Sequence, residues 1–300
     1  MKSKLWLLYA LLTAAFWGVW GAFIEIPEKA GFPATLGYSV WAIMMIPGGI
    51  FALSMLHGKL EKDRRSVILG LSAGLFGCAG QLILFEALRS GPAYLVFPFI
   101  SISPVITIAL SYILLKERAS RLASIGIVTA VIAIFLLSYQ PPGDSVASGY
   151  LWIFLALLVA LMWGLQSYIL KFANNVMKAE SLMVYTVITA LGLIPFAVWM
   201  TDFSQPINWG FKGPYLAAMI QFLNALGFIG LVYAFRYGKA IIVSPMVNAL
   251  PPVITVVISL TLYQVIPHPV IITGMVLAIV AAFLMAMEQE ESPTTKVESG

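Results

Sequence analysis

The chain has 300 residues, of which 61% are hydrophobic and only 10% are charged, and its formal net charge is +4. Soluble domains carry about a quarter charged residues, so this composition excludes an ordinary soluble domain and indicates a membrane protein. The mean hydropathy of +0.95 agrees with that class. A charge this small gives no indication of a nucleic-acid partner.

Ten long apolar runs predict ten transmembrane helices. Each run is about 20 residues long, which is enough to cross roughly 30 Å of hydrocarbon. A membrane β-barrel would instead show alternating segments of roughly 10 residues. We therefore expect an all-α membrane protein that sits in the lipid bilayer. The spans, numbered helices 1 to 10, are 5–25, 34–56, 66–88, 93–115, 121–140, 149–171, 181–201, 214–236, 240–263 and 268–287.

The positions of the basic residues predict the orientation of these helices. When the N-terminus is placed inside, 14 of the 17 Lys and Arg residues fall in inside segments. The three outside are Lys29, Arg89 and Lys212. Basic residues favour the cytoplasmic side of membrane proteins. We therefore expect both termini to be cytoplasmic, in a multi-pass protein of the inner (plasma) membrane.

One segment, from Ala87 to Pro104, is repeated 147 residues later, from Ala234 to Pro251. A period near half the chain length indicates two copies of one large unit. Because each copy contains five helices, an odd number, the second copy enters the membrane from the opposite side. The sequence therefore predicts an inverted-topology repeat. The identical pairs are Ala87/Ala234, Arg89/Arg236, Gly91/Gly238, Ala93/Ala240, Val96/Val243, Pro98/Pro245 and Pro104/Pro251.

The repeat divides the chain into four parts. Residues 1–140 form the first five-helix repeat, 141–148 a linker and 149–287 the second repeat. Residues 288–300 are polar and acidic, and we expect them to be a disordered tail. Trp17-Gly18 and Trp163-Gly164, in the first helix of each half, support this division.

The sequence resembles the EamA group of the drug/metabolite transporter superfamily over about residues 5–287. The features that carry the resemblance are the Trp-Gly pair in the first helix of each half, the Ala-x-Arg-x-Gly-x-Ala turns, and Leu115-Lys116-Glu117-Arg118 at the end of helix 4. Members of that superfamily carry amino acids, nucleotide sugars, sugar phosphates, purines or drugs. The family commonly has Gly-Glu where this chain has Lys116-Glu117, and Gln264 stands where the second-half Glu would fall.

Polar and aromatic side chains inside apolar spans are the candidate substrate-binding residues, because they are costly in lipid. Amide and aromatic groups suit a polar solute that is uncharged or zwitterionic. The alternative role is hydrogen bonding between helices. These candidates are Trp17, Trp20, Gln81, Glu86, Tyr94, Ser101, Gln166, Gln221, Asn224, Tyr233 and Asn248.

Prolines and the two Arg-Gly turns are the candidate gating elements. Prolines remove backbone N–H donors and kink helices. We expect helices 4 and 9 to line a central cavity and to bend during gating, and static kinking for packing is the alternative. The candidates are Arg89, Gly91, Pro98, Pro104, Arg236, Gly238, Pro245 and Pro251.

Three acidic residues lie near the ends of the spans: Glu25, Glu86 and Glu117. Glu86 can pair with Arg89 on one helix face, or it can titrate and couple proton movement. Glu25 and Lys171 occupy equivalent positions in the two halves, and we expect both to cap their helices at the membrane surface.

No catalytic, metal-binding or nucleotide-binding motif is present in the sequence, so we expect no enzyme activity and no cofactor. We expect a secondary transporter that moves a small polar metabolite, of the amino-acid, sugar or nucleoside class, by alternating access. A gradient or exchange would drive it. The alternative is a multi-span membrane protein without transport, such as an assembly or sensor component. Helices 5 and 10 contain small-residue segments and are candidates for a homodimer contact. Substrate identity, direction and coupling ion stay open.

Overall fold

The computed structural model describes residues 4–91, 93–139, 149–264 and 266–288, and this part of the chain contains helices and no strand. Nine of the described helices are long and apolar enough to cross a membrane, and the shorter apolar helix Arg121–Leu137 completes a set of ten. The expected all-α, ten-helix membrane fold is confirmed. The linker 141–148 lies outside the described residues, as does the tail from residue 289 onward.

We number the membrane helices α1 to α10. They are α1 (Leu5–Phe23, continued by Glu25–Lys29), α2 (Ala34–Met44 and Ile46–Met55), α3 (Arg64–Ser90), α4 (Ala93–Ile100 and Ser103–Ile113), α5 (Arg121–Leu137), α6 (Leu151–Asn174), α7 (Ala179–Gly192 and Ile194–Trp199), α8 (a π-helical turn Phe211–Tyr215, then Leu216–Tyr237), α9 (Ala240–Tyr263) and α10 (Pro269–Ala286).

Three helices are interrupted where a proline begins a second segment. Pro47 lies in the first turn of the second segment of α2, Pro104 in that of α4 and Pro195 in that of α7. Proline has no N–H and clashes with the carbonyl four residues earlier, but it fits the first turn of a helix. Each interruption is therefore the local consequence of a proline within an apolar run.

The two halves of the chain are interleaved. α1 of the first half packs against α8 and α9 of the second half, and α6 of the second half packs against α3 and α4 of the first. α2 packs against α7, and α5 packs against α10. Each contact of one half therefore has a counterpart made by the equivalent helix of the other half. An inverted repeat predicts this arrangement.

Two glycines allow the closest of these contacts. A Cβ added to Gly18 of α1 would lie 2.5 Å from Ile254 Cβ of α9, and one added to Gly164 of α6 would lie 2.7 Å from Ile106 Cβ of α4. Such small residues let helix backbones approach closely in membranes. The two approaches are equivalent in the two halves.

A threonine secures each close approach. The Thr255 hydroxyl donates a 2.9 Å hydrogen bond to the Gly18 carbonyl, and the Thr107 hydroxyl donates a 3.1 Å bond to the Gly164 carbonyl. Both bonds connect different halves of the chain. Each also satisfies a hydroxyl that would be costly to leave unpaired in an apolar interior.

These contacts correct one pair of the sequence alignment. Thr107 and Thr255 are 148 residues apart, so the spatial counterpart of Pro104 is Pro252, not Pro251. α4 is interrupted at Ser101 and Ile102, whereas α9 is continuous. α9 therefore contains six residues between Pro245 and Pro252, one more than α4 contains between Pro98 and Pro104.

The same shift corrects the expected position of Gln264. Lys116 and Gln264, which follow α4 and α9, have φ values of 55° and 53°, both in the left-handed region. Gln264 is therefore the counterpart of Lys116, and the counterpart of Glu117 is residue 265, outside the described residues. Glycine adopts this backbone conformation without steric cost, which explains why the family commonly has glycine here.

The peripheral helices α5 and α10 use their small residues within the chain. Gly126 of α5 packs against Met285 and Leu284 of α10, and Gly274 of α10 packs against Leu136 and Leu137. A homodimer contact through these helices would have to use their outward faces, and it stays a prediction.

We predict that Gly18→Ala and Gly164→Ala each lower the thermal stability of the protein. Overpacking costs about 1–3 kcal/mol, and here the added methyl groups meet Ile254 and Ile106. Unfolding can be followed with a thiol-reactive dye, because Cys78 is the single cysteine and is 1% exposed.

Gly192→Ala is the matched control, since nothing lies within 4 Å of its added Cβ. This variant should keep or raise the melting temperature, because alanine in an open helical position stabilises by about 0.5–1 kcal/mol. Equal melting temperatures for all three variants would contradict the close-packing interpretation.

Candidate functional site

Four of the candidate residues meet between α1 and α8. The Trp20 indole N–H donates a 3.0 Å hydrogen bond to the side-chain oxygen of Gln221, and the Trp17 indole N–H donates a 3.2 Å bond to the Asn224 carbonyl. The Asn224 amide also lies 3.4 Å from the Gln221 oxygen. Gln221 is only 6% exposed. We call these residues the amide–indole cluster.

The equivalent place between α6 and α3 is built differently. The Trp163 indole N–H donates a 3.3 Å hydrogen bond to the Gly77 carbonyl, as Trp17 does to Asn224. Gln166 takes the place of Trp20. It packs directly on Gly77, where an added Cβ would lie 1.9 Å from its side-chain nitrogen. The polar groups therefore differ between two positions that are otherwise equivalent.

The remaining candidates in α3, α4 and α9 do not join this cluster. Gln81 is half-buried on α3, and Asn248 is half-buried on α9, where its amide donates to the Ser244 carbonyl at 2.8 Å. Ser101 lies in the interruption of α4 and shares a hydrogen bond with Ser138 of α5. The side chain of Tyr94 lies outside the described residues.

Tyr233 and Glu86, equivalent by sequence, have unrelated surroundings. The Tyr233 hydroxyl donates a 2.7 Å hydrogen bond to the Glu180 carboxylate, and its ring stacks on Tyr9 with centroids 5.1 Å apart. Glu86 accepts from Arg89 at 3.1 Å, and the two side chains are 40% and 65% exposed. Tyr233 therefore belongs to an aromatic stack, and Glu86 to a surface ion pair.

The two Arg-Gly turns share one packing contact. Gly91 packs on Trp152 at the start of α6, and Gly238 packs on Trp6 at the start of α1. Because five membrane helices, α4 to α8, separate the two turns, these turns lie on opposite sides of the membrane. We name the sides the Arg89 face and the Arg236 face.

The two arginines of these turns differ in their contacts. Arg236 donates to the backbone carbonyls of Asn174 and Met177 at the end of α6, the second at 2.8 Å. Arg89 pairs with Glu86 on its own helix. Pro98 lies inside the first segment of α4, and Pro245 and Pro251 are buried within α9.

Buried ions at the Arg236 face were not among the candidates. Lys171 lies 3.9 Å from the Glu117 carboxylate, with side chains 13% and 7% exposed. Lys239 lies 3.0 Å from the Glu288 carboxylate, with side chains 13% and 8% exposed. The expectation that Lys171 caps its helix at the surface is wrong, because its ammonium group is buried between the Glu117 carboxylate and the Gly238 carbonyl.

Glu288 lies two residues after α10 and joins three elements. Its carboxylate accepts a 2.9 Å hydrogen bond from the Ser120 N–H at the start of α5 and pairs with Lys239 before α9. Burial alone would raise the pKa of Glu288. The hydrogen bonds from Ser120 and the Lys239 ammonium outweigh burial and hold the pKa below its usual value. Glu288 therefore stays ionised, and the predicted tail begins with an anchored residue.

A cavity of about 330 Å³ is lined by none of the four residues of the amide–indole cluster. It opens between α2, α7 and α8, and its wall is almost entirely apolar. None of the candidate binding residues whose side chains are described lines it. Its walls include Met44, Phe51, Met183, Val187, Phe222 and Ile229.

The fold is that of a ten-helix membrane protein with two interleaved halves, and it is shared with a solved crystal structure. That structure superposes with a TM-score of 0.76 and 17% sequence identity, covering 95% of this chain and 96% of the other. This likeness concerns the fold alone. The sequence matches the EamA-like transporter family over residues 4–139 and again over residues 150–287. The chain belongs to the EamA-like transporter family.

Two archaeal relatives add detail. An uncharacterized protein of Methanocaldococcus jannaschii is 34% identical over 136 residues, which cover 44% of this chain and 95% of that protein. That relative is therefore about as long as one half of this chain. An uncharacterized transporter of Archaeoglobus fulgidus is 23% identical over 209 residues, covering 69% of this chain and 73% of that one.

We predict that Arg236→Met destabilises the protein more than the matched variant Arg89→Met. The first change removes a charged donor from two carbonyls at the end of α6, and such hydrogen bonds contribute about 1.5–3 kcal/mol. The second breaks an exposed ion pair worth about 0.2–1 kcal/mol. Dye-monitored unfolding through Cys78 measures both, and equal losses would contradict the different roles of the two arginines.

Proposed function

We propose that the protein is a secondary transporter that moves a small polar metabolite, of the amino-acid, sugar or nucleoside class, across the membrane by alternating access. A gradient or exchange of solutes drives the movement. Membership of the EamA-like transporter family and the similarity to a protein named as a transporter support the general role. The substrate class and the mechanism are inferred from the contacts below.

The observation that carries the proposal is the duplicated contact between halves. Thr255 bonds Gly18 and Thr107 bonds Gly164 in equivalent positions of α9/α1 and α4/α6. Two units with the same contacts can exchange conformations, which converts a structure open to one face into one open to the other. Alternating access of a central site follows from that exchange.

The amide–indole cluster supports a polar substrate without net charge. Its groups are one glutamine, one asparagine and two indoles, and none is ionisable. An ionic substrate would normally require an opposite charge in an apolar site. The cluster can accept or donate hydrogen bonds and stack against a planar group. Amino acids in zwitterionic form, sugars and nucleosides meet these requirements.

We place the protein in the inner (plasma) membrane, with both termini and the Arg236 face on the cytoplasmic side. The bias of 14 basic residues to three supports this orientation. Family membership supports a multi-pass membrane protein and gives no side.

The test is a thermal-shift screen of the purified protein against amino acids, sugars and nucleosides, followed by flux of each stabilising solute into proteoliposomes. We expect at least one solute to raise the melting temperature and to cross the membrane. If no solute stabilises the protein and none crosses, the proposal fails and a non-transporting assembly or sensor component becomes the better assignment.

Gln221→Ala should raise the KM for that solute at least tenfold, because a lost substrate hydrogen bond of about 1.4 kcal/mol corresponds to a factor of ten. Gln205→Ala, which removes an exposed amide, is the matched control and should leave KM unchanged. An unchanged KM in Gln221→Ala would exclude the amide–indole cluster as the binding site.

We expect Glu86→Gln to leave the pH dependence of flux unchanged. The Glu86 carboxylate is 40% exposed and already paired with Arg89, which describes a surface ion pair of small energetic weight. Flux is measured at a series of pH values for the native protein and the variant. A flat profile in the variant, where the native protein shows a slope, would instead identify Glu86 as a proton carrier.

A further inference from the structure

The two proline helices differ most where each follows its Arg-Gly turn. Residues 242–247 of α9 are all buried, whereas only two of their counterparts, residues 95–100 of α4, are buried. α9 therefore enters the protein at the Arg236 face surrounded by other helices. The equivalent part of α4, at the Arg89 face, is half-exposed.

Buried ionic contacts fix the start of α9. The Glu117 carboxylate, from the connection after α4, accepts a 3.0 Å hydrogen bond from the Ile241 N–H in the first turn of α9. The Lys171 ammonium, at the end of α6, donates a 2.7 Å bond to the Gly238 carbonyl and pairs with Glu117. Helix N-termini carry unpaired N–H groups and a partial positive charge, so a carboxylate is stabilised there. The first half is thus bonded to the start of α9.

Among the described residues, the counterpart of Lys171 at the Arg89 face has different contacts. Glu25 occupies the position of Lys171, and it pairs with Lys29 of its own helix, with side chains 65% and 73% exposed. A carboxylate at this position cannot donate to the Gly91 carbonyl as Lys171 donates to Gly238. The two faces therefore differ in chemistry as well as in packing.

The connections around α2 and α7, by contrast, are hydrogen-bonded at both faces. At the Arg89 face the Asn208 amide donates to the Ala30 carbonyl at 2.9 Å. At the Arg236 face the Lys178 N–H donates to the Glu61 carboxylate at 2.8 Å. The connections around α2 and α7 are thus fixed on either side, while those of α4 and α9 are not equivalent.

We propose that Glu117 and Lys171, together with the Gly238 carbonyl and the Ile241 N–H, form a lock that closes the Arg236 face, and that the structure is the state open toward the Arg89 face. This inference rests on the proposed alternating access. The inference identifies the residues that form the gate at the Arg236 face. The Lys239–Glu288 ion pair reinforces this lock, because it holds the residue before α9 to the end of α10.

Opening of the Arg236 face requires α9 to leave this contact. Separation would expose both charged groups to water, which repays their desolvation. The lock can therefore hold the face closed and still open, because neither charged group is left in an apolar interior after they separate. A single neutralising substitution removes this ion pair, and the buried charge that remains gains more from exposure to water when α9 moves away.

The test is the accessibility of one engineered cysteine to a membrane-impermeant maleimide. In a Cys78→Ala background, Ser244→Cys places a thiol in the buried part of α9, where the native side chain is 1% exposed. The reagent is added to vesicles of either orientation. We expect slow labelling with the lock intact and at least tenfold faster labelling, from the Arg236 face, in Glu117→Gln and in Lys171→Met.

Two matched controls distinguish opening of the lock from a general destabilisation of the protein. Glu25→Gln neutralises the position equivalent to Lys171 at the Arg89 face. It should leave the labelling rate of Ser244→Cys within twofold of the rate measured with the lock intact. Phe97→Cys is the counterpart of Ser244→Cys in α4, and it should react from the Arg89 face in the native background. That reaction should slow in Glu117→Gln as the population shifts toward the opposite state.

The outcomes are decisive without a known substrate. Unchanged labelling of Ser244→Cys in both lock variants, or equal acceleration by Glu25→Gln, overturns the lock. If either single variant is not monodisperse in size-exclusion chromatography, the double variant Glu117→Gln/Lys171→Met removes both charges together and should show the same acceleration. A protein that moves no solute but labels as expected would refute the proposed function and leave the lock standing.

Discussion

The close approach of α1 to α9 and of α6 to α4 is the contact on which the architecture depends. Gly18 and Gly164 lack side chains where an isoleucine of the opposing helix arrives, and a threonine bonds each glycine carbonyl. In lipid there is little hydrophobic gain from pressing two apolar helices together, so close packing and hydrogen bonds between helices carry the association. Because each contact joins one half to the other, neither half completes its own packing. The interleaving of the halves follows from this requirement.

Much of the fold was accessible from sequence, and the reasons differ from feature to feature. Apolar runs of fixed length predicted all ten helices because hydrocarbon thickness dictates the length of a spanning helix. The repeated segments at Arg89 and Arg236 predicted two units, because the same turn between two helices requires the same residue types in both copies. The match of Pro104 with Pro251 was wrong, since one additional residue in α9 shifts the register only after the first proline. The threonine contacts that reveal this shift join residues more than 50 positions apart, and no local pattern marks them.

The sequence named eleven candidate binding residues, and the structure brings four of them, Trp17, Trp20, Gln221 and Asn224, into contact. Their role in substrate binding stays a prediction. The sequence did not predict an ion pair between Lys171 and Glu117, because a charged residue at the end of a membrane helix is usually exposed to water. The structure buries both, and burial depends on the packing of three elements distant in sequence. The equivalence of Lys171 with the exposed Glu25 was the available signal, since a change of charge sign between matched positions indicates different roles for the two faces.

The additional residue of α9 has a consequence for the working cycle under alternating access. An ideal inverted repeat would give two states of equal free energy related by a two-fold rotation, and the empty protein would spend equal time in each. Here α4 is interrupted at Ser101, while α9 is continuous and has one additional residue between Pro245 and Pro252, so the two states cannot be equivalent. Under the proposed alternating access, the resting equilibrium is therefore biased toward one of them. Such a bias does not set the direction of net flux, which only the gradient determines. It sets the membrane surface to which the site of the empty protein is more often open.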